Sequence, residues 1–340
     1  MQQFYGRAAE KSYFNGCSTG GRQALTEASR YPSDFDGIIA GAAANPKTHL
    51  DTWRIWMGLE TMRDPEARIP QEKYPAIHQA VLAACDALDG VKDGLLEDPT
   101  QCHFDPKVLA CTGADTASCL TPKQVKSVTT VLAPARSPRT GAEIFPGYMP
   151  GSELMWGRLI GGAEPYETAL DQFRYGVFND AKWDWRTFDV DRDLAKADES
   201  LRGLLTAIDP ASMNPFFARG GKLITYHGWA DQDIAPLASV NFYRSVGQSL
   251  GDAKVAAGLR LFMVPGMGHC GGGDGPNTFD MMPALESWVE KGPTPASVIA
   301  AHSTRGAVDR TRPLCPYPQE ARYKGTGSSD AAENFACRLP

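Results

Sequence analysis

Apolar residues recur along both ends of the chain as short buried runs alternating with amphipathic helices, and a long middle stretch interrupts this rhythm. The segment "KSYFNG", Lys11 to Gly16, is short, aromatic-rich and stops at glycine, which predicts a strand running into a sharp turn. From Gly20 onward Ala24, Leu25, Ala28 and Tyr31 repeat at helical spacing until Pro32 ends the run. "FDGIIAGAAA", Phe35 to Ala44, reads as a second strand buried on both faces. The rhythm returns with "KLITYHG" (Lys222 to Gly228) as a strand and a helix from Pro236 to Leu250, with Leu237, Val240, Tyr243 and Leu250 toward one side. "LRLFMVPG" follows as a strand. A last helix runs from Met281 to Glu290, with Met281, Leu285, Trp288 and Val289 inward and Gly292 as its stop. This alternation predicts an α/β fold: a mostly parallel sheet covered on both faces, with chemistry at the loops that follow the carboxyl ends of its strands.

Between Asn45 and about Met213 the pattern changes. Most of the tryptophans, many prolines and four cysteines lie here. One helix is expected from Pro75 to Cys85 with Ile77, Val81 and Leu82 on a face; another starts at Thr121 as cap, with Pro122 in its first turn and Val125, Val128 and Leu132 following. We read 46–213 as a disulfide-stapled insertion, with 1–45 and 214–340 forming the core.

Composition narrows the function classes. The net charge is −6 with both signs interspersed, so neither nucleic acid nor an anionic membrane is an expected partner, and a small ligand fits better. There is no window of about eighteen apolar residues, and "MQQFYGRAAEKSYF" has neither an apolar h-region nor a cleavage site. Eight cysteines occur without any CxxC or zinc-type spacing, which favours disulfides and an oxidising compartment, secreted or periplasmic; eight reduced cysteines in a cytosolic enzyme are the alternative. Cys85/Cys102, Cys111/Cys119 and Cys315/Cys337 are close in sequence, which leaves Cys17 with Cys270. An exported chain without a signal peptide predicts a natural start upstream of Met1.

The most chemical stretch is "YFNGCSTGGRQ". Gly16-Cys17-Ser18-Thr19-Gly20 fits G-x-S-x-G between a predicted strand and a predicted helix, which is where that motif works. The turn is strained, so glycines two residues either side of the serine are expected to allow the close approach of strand and helix. A serine hydroxyl needs a base, and the base needs an acid to orient it. Of the six histidines, His269 in the glycine-rich loop "VPGMGHCGGG" is favoured over His302 as base. "YHGWADQDIAP" offers Asp231 and Asp233, with Asp231 closer to the strand end and Asp233 readable as a helix cap. His227 reads as a hydrogen-bonded core histidine. If Cys17 and Cys270 are bonded, the bridge ties the nucleophile loop to the base loop across most of the chain.

The Cys-Ser, Asp, His-Cys arrangement, together with "NGCSTGGRQALTEASRYPSDFDGIIAGAAANP", resembles the tannase and feruloyl esterase family of α/β-hydrolases from about residue 3 to the C-terminus. The resemblance implies Ser18 as nucleophile, Asp231 and His269 completing a triad, a Cys17–Cys270 bridge and an inserted lid over the site. The backbone N–H of Thr19 is expected to serve as one oxyanion donor. The family also carries a segment upstream of this elbow, with further strands and a second oxyanion donor. In "CDALDGVKDGLLEDPTQC" the carboxylates of Asp86, Asp89 and Asp93 crowd one loop. The family's lid site implies calcium there, with the backbone carbonyls of Val91 and Leu95 completing the set.

The expected activity is therefore hydrolysis of esters of aromatic acids, feruloyl or galloyl, with Trp183, Trp185 and Ile234 as candidates to hold the ring. Two other classes stand beside it: a calcium-stabilised binding protein without a working site, and a thiol enzyme using Cys17.

Overall fold

The structure, a computed structural model, describes residues 2–340. Strand β1 (Tyr13–Cys17) leads directly into helix α1 (Thr19–Arg30), and β2 (Gly37–Gly41) follows. After the middle stretch come β3 (Lys222–Gly228), α2 (Leu237–Leu250), β4 (Leu259–Val264) and α3 (Met282–Lys291). The four strands form one sheet in the order β1-β2-β3-β4, every pair parallel. Cys17 pairs with Gly41, Gly41 with Tyr226, and Tyr226 with Phe262, so the carboxyl ends of all four strands reach one edge of the sheet.

Both faces are covered, which is why β2 is an unbroken apolar run. Ile38 and Ala40 pack with Ala24, Leu25 and Ala28 of α1 and with Val246 of α2, while Ile39 turns the other way to Leu285 and Trp288 of α3. Each such buried leucine or isoleucine contributes about 1.5–3 kcal/mol. Helix α1 stops where Pro32 removes the next backbone donor. Tyr31, expected inward, closes that turn through its N–H to the Glu27 carbonyl and is exposed. Gly292 ends α3 in the left-handed conformation (φ 94°), as its position past the last apolar turn requires. The β2 strand is shorter than the apolar run: Ala42 takes a positive φ and Ala43–Asn45 lead away in a turn.

Residues in the middle stretch gather around an apolar cluster of their own, built on Trp53, Tyr74, Phe145, Tyr148, Trp156 and Phe173. The helix Tyr74–Cys85 and the helix Pro122–Leu132 both form; the latter carries a full capping box between Thr121 and Gln124. Trp183 and Trp185 are not ring-holding residues on an open surface. Trp185 is buried, and Trp183 stacks on Phe178 and Phe173 at 5.1 and 5.6 Å, because large aromatics here supply the area that makes the cluster cohere. Ile234 is likewise buried in that cluster.

Beyond α3 lie two antiparallel hairpins, β5 (Val298–Thr304) with β6 (Ala307–Leu314) and β7 (Glu320–Tyr323) with β8 (Phe335–Arg338). Neither is expected from the sequence pattern. Only the first strand begins with a period of two, in which Val298 and Ala300 are buried while Ile299 is exposed; the other three do not alternate.

Candidate active site

Ser18 sits at the first residue after β1 with φ 64° and ψ −120°, a conformation rare for a residue with a side chain. Three backbone bonds hold it there: its N–H donates to the Gly41 carbonyl at 2.9 Å, and its carbonyl accepts from Arg22 at 3.0 Å and Ala44 at 3.2 Å. Glycine is required at 16 and 21 rather than symmetrically about the serine. A methyl group at Gly16 would lie 2.6 Å from the Gly20 carbonyl, and one at Gly21 would lie 2.2 Å from the Gly41 carbonyl oxygen; a methyl at Gly20 meets nothing. The close approach is thus of α1 onto the end of β2. Ser18 occupies the N-cap position of α1 yet makes no capping bond, so its hydroxyl is free to point elsewhere.

It points to His269. Ser18 Oγ lies 2.8 Å from His269 Nε2, and His269 Nδ1 lies 2.8 Å from Asp231 Oδ2. Asp231 follows the end of β3 and is fully buried. Its Oδ1 accepts from the backbone N–H of Asp233 at 2.7 Å and Ile234 at 2.9 Å, and its Oδ2 also takes the Nε2 of His227 at 3.0 Å. Ile234 therefore serves this loop through its backbone. His227 is buried too, with Nδ1 2.7 Å from Ser239 Oγ, the hydrogen-bonded core histidine its position suggests. His302 pairs with Asp309 on the C-terminal hairpin.

Asp233 does not cap α2, whose N-cap is Pro236. Its Oδ2 is 2.8 Å from Arg158 and 3.8 Å from His269 Nε2. Burial works against charge on Asp231, and the hydrogen bonds and charges of His227 and His269 outweigh it, so the carboxyl is held well below the usual range. Burial likewise disfavours the His269 imidazolium, but the Asp231 hydrogen bond and charge prevail and raise its pKa above the ordinary 6.5. Such a chain of groups can take the serine proton onto a ring whose other nitrogen is held by a buried carboxylate. The Thr19 N–H is the first amide of α1, at the helix end where donors lack an intrahelical acceptor.

All eight cysteines are paired, as Cys85–Cys102, Cys111–Cys119, Cys315–Cys337 and Cys17–Cys270. The last joins the residue before Ser18 to the residue after His269, with Cα atoms 6.1 Å apart across 253 positions. A disulfide sulfur is not a nucleophilic thiolate, so the thiol-enzyme reading through Cys17 falls.

In the acidic loop, Asp86 accepts from the N–H groups of Asp93 and Gly94, Asp89 from Val91 and Glu97, and Asp93 from Leu95, with Arg312 against Asp93 at 2.5 Å. The carboxylate oxygens of Asp86, Asp89 and Asp93 do not gather as a threesome within 4.8 Å. The group that does, among the described residues, is Cys111, Asp115 and Cys119, whose sulfurs are joined to each other. The donor chemistry nonetheless suits a hard cation. Every donor is oxygen, burial pushes the Asp89 carboxyl up to about 6, and the buried Glu97 Oε2 has no hydrogen-bond partner.

A parallel sheet with helices on both faces, a serine on a strained strand-to-helix turn, and an acid and a histidine after later strands in that order define an α/β-hydrolase. The family model "Tannase and feruloyl esterase" matches residues 1–338. An uncharacterized esterase of Xanthomonas campestris pv. campestris is 37% identical over 97% of this chain and 66% of its own length. A protein of Aspergillus terreus named "Probable feruloyl esterase B-2" is 32% identical over 99% of this chain and 67% of its own. The crystal structure of feruloyl esterase B from Aspergillus oryzae superposes with a TM-score of 0.92 at 32% identity, over 99% of this chain and 71% of that one. The chain belongs to the tannase and feruloyl esterase family, whose named members are carboxylic ester hydrolases. It spans about two thirds of the length of the curated relatives it matches.

Proposed function

We propose that the protein is a serine esterase acting on small esters of aromatic acids, feruloyl or galloyl, through an acyl-enzyme. The observation that carries the reading is the unbroken hydrogen-bonded chain Ser18, His269, Asp231 at one sheet edge. Ser18 Oγ attacks the ester carbonyl while its proton passes to His269 Nε2. The tetrahedral oxyanion is met by the Thr19 N–H and the partial positive charge at the start of α1. Collapse expels the alcohol, which takes the proton from Nε2, and water repeats the sequence with the acyl group to release the acid. Asp231 keeps the proton on Nδ1 and stabilises the imidazolium. Residues 46–213 act as a lid that shapes the substrate pocket; Arg54 and Tyr148 of that stretch anchor it to the acid loop, through the carbonyls of Asp233 and Gln232. Four disulfides support residence in an oxidising compartment. Turnover of a panel of methyl ferulate, methyl gallate, chlorogenic acid and a terephthalate monoester tests the class, and failure to cleave any of them contradicts it.

The base must be neutral to accept the serine proton. Because the His269 pKa is raised above 6.5, kcat/KM is expected to fall as pH drops, with an acid-limb midpoint above that value in a pH–rate profile.

Asp86, Asp89 and Asp93, with the carbonyls of Val91 and Leu95, would hold a structural calcium ion, whose charge would offset that of the neighbouring carboxylates. Adding EGTA is expected to lower Tm by about 5 °C, and restoring calcium but not magnesium to recover it, in a thermal-shift assay.

A further inference from the structure

Asp233 is a second carboxylate at the base, on the opposite side of the ring from Asp231. Its side chain is 4% exposed, its Oδ2 lies 3.8 Å from His269 Nε2, and its Oδ1 has no hydrogen-bond partner. Such a buried charge needs compensation. Arg158, from the 46–213 stretch, supplies it at 2.8 Å, and the Arg54 guanidinium donates to the Asp233 backbone carbonyl at 2.8 Å. Both guanidiniums lie over the ring of Tyr166, at 4.8 Å for Arg54 and 5.1 Å for Arg158, and Arg54 is fixed further by Asp51 at 3.0 Å. The charged and titratable groups facing the ring are thus Asp231 at Nδ1 with His227 behind it, Asp233 at Nε2, and Arg54 and Arg158 behind Asp233.

We propose that Asp233 is a positioning residue that holds the proton affinity of His269 up from the Nε2 side, and that Arg158 is the counter-charge by which the inserted stretch limits that effect. The inference rests on Ser18 and His269 being nucleophile and base. When the Ser18 proton moves to Nε2 as Oγ bonds to the electrophile, the new imidazolium finds a carboxylate 3.8 Å away that it did not need in the neutral state. That interaction favours the transition state, and it also favours protonation of the resting ring. Arg158 sets the balance: burial pushes the Asp233 carboxyl up, Arg158 and Arg54 together keep it ionised, and removing Arg158 leaves Arg54 to do so while less of the Asp233 charge is offset at the ring. A link between the insertion and the base follows that requires no contact between Arg158 and the histidine.

The test is the pH dependence of Ser18 labelling by a fluorophosphonate, which reads the base without any ester substrate. In Asp233→Asn the acid-limb midpoint is expected to move down by about half a unit to one unit, with a lower plateau rate. In Arg158→Gln it is expected to move up by a similar amount. Asp233→Glu, which keeps the charge, is expected to stay nearer the unaltered protein than Asp233→Asn does. Arg158 is half exposed, so its variant does not depend on repacking a core. Midpoints unchanged in both Asp233→Asn and Arg158→Gln, or shifted in the same direction, overturn the inference while leaving Ser18 as the nucleophile. Absence of labelling in the unaltered protein overturns the nucleophile reading itself, and the inference with it.

Discussion

Replacing Ser18 with alanine is expected to lower kcat for aromatic-ester hydrolysis by about 10⁴- to 10⁶-fold. The hydroxyl is the only group of this side chain that meets His269, and alanine deletes it without adding volume beside the Gly41 and Ala44 backbone that holds the turn. Stability follows a different course. Ser18 lies at φ 64°, a conformation that costs a residue bearing a Cβ about 1–3 kcal/mol and that glycine adopts readily. Ser18→Gly should therefore be equally inactive yet melt at a higher temperature than Ser18→Ala. Activity assays paired with calorimetry check both halves. A serine kept only for the geometry of a turn would give the opposite pattern, with activity retained in at least one variant.

The second large effect is expected from removing the bridge between the two loops. In the loop-closure picture, a crosslink spanning 253 positions constrains the unfolded chain by about 5 kcal/mol, which is a large share of the stability of most domains. The double variant Cys17→Ala, Cys270→Ala, which leaves no stray thiol, should melt about 10–20 °C below the unaltered protein. It should also lose activity at temperatures where it is still folded. Cys270 has φ 59° and directly follows His269, so without the bridge the residues on either side of the imidazole are left to the Gly268–Gly272 backbone bond, the Gln232 side chain and the Met267 contacts to Ala230 and Gly273. The Cys111–Cys119 bridge closes a loop of only 8 positions within the insertion, so the corresponding double alanine variant should cost less stability and leave kcat unchanged.

How much of this was legible in the sequence depends on whether the signal was local. The strand–turn–helix at Ser18 could be read because a short apolar run, a glycine and a helical period abut within twenty residues. The placement of His269 and Asp231 after later strands could be read because a parallel sheet brings all its carboxyl ends to one edge. The direction of Asp233 could not. Its partners Arg158 and Arg54 come from a segment whose docking angle is set by the Trp53, Tyr148 and Trp156 cluster, and no pattern near residue 233 encodes that. Trp183 and Trp185 misled for the same reason: a tryptophan in a polar neighbourhood looks available to a ligand until the aromatic residues that enclose it are brought in from a distance. The glycine requirement at Gly21 rather than Gly20 was equally invisible, since it is imposed by the Gly41 carbonyl of the adjacent strand. The two C-terminal hairpins escaped because a strand such as "AVDRTRPL" has no alternation to read: Val308 is exposed, while Arg312 is buried against Asp93 from a distant loop.

The central claim is that acyl transfer passes through Ser18. Its most direct test is to mix the protein with a feruloyl ester, quench in acid within the first turnovers, digest, and weigh the peptides. A feruloyl mass on the peptide containing Ser18, absent in the Ser18→Ala variant, is the predicted result. Turnover of the ester with no acyl group on that peptide, or with the acyl group on another residue, would contradict the account.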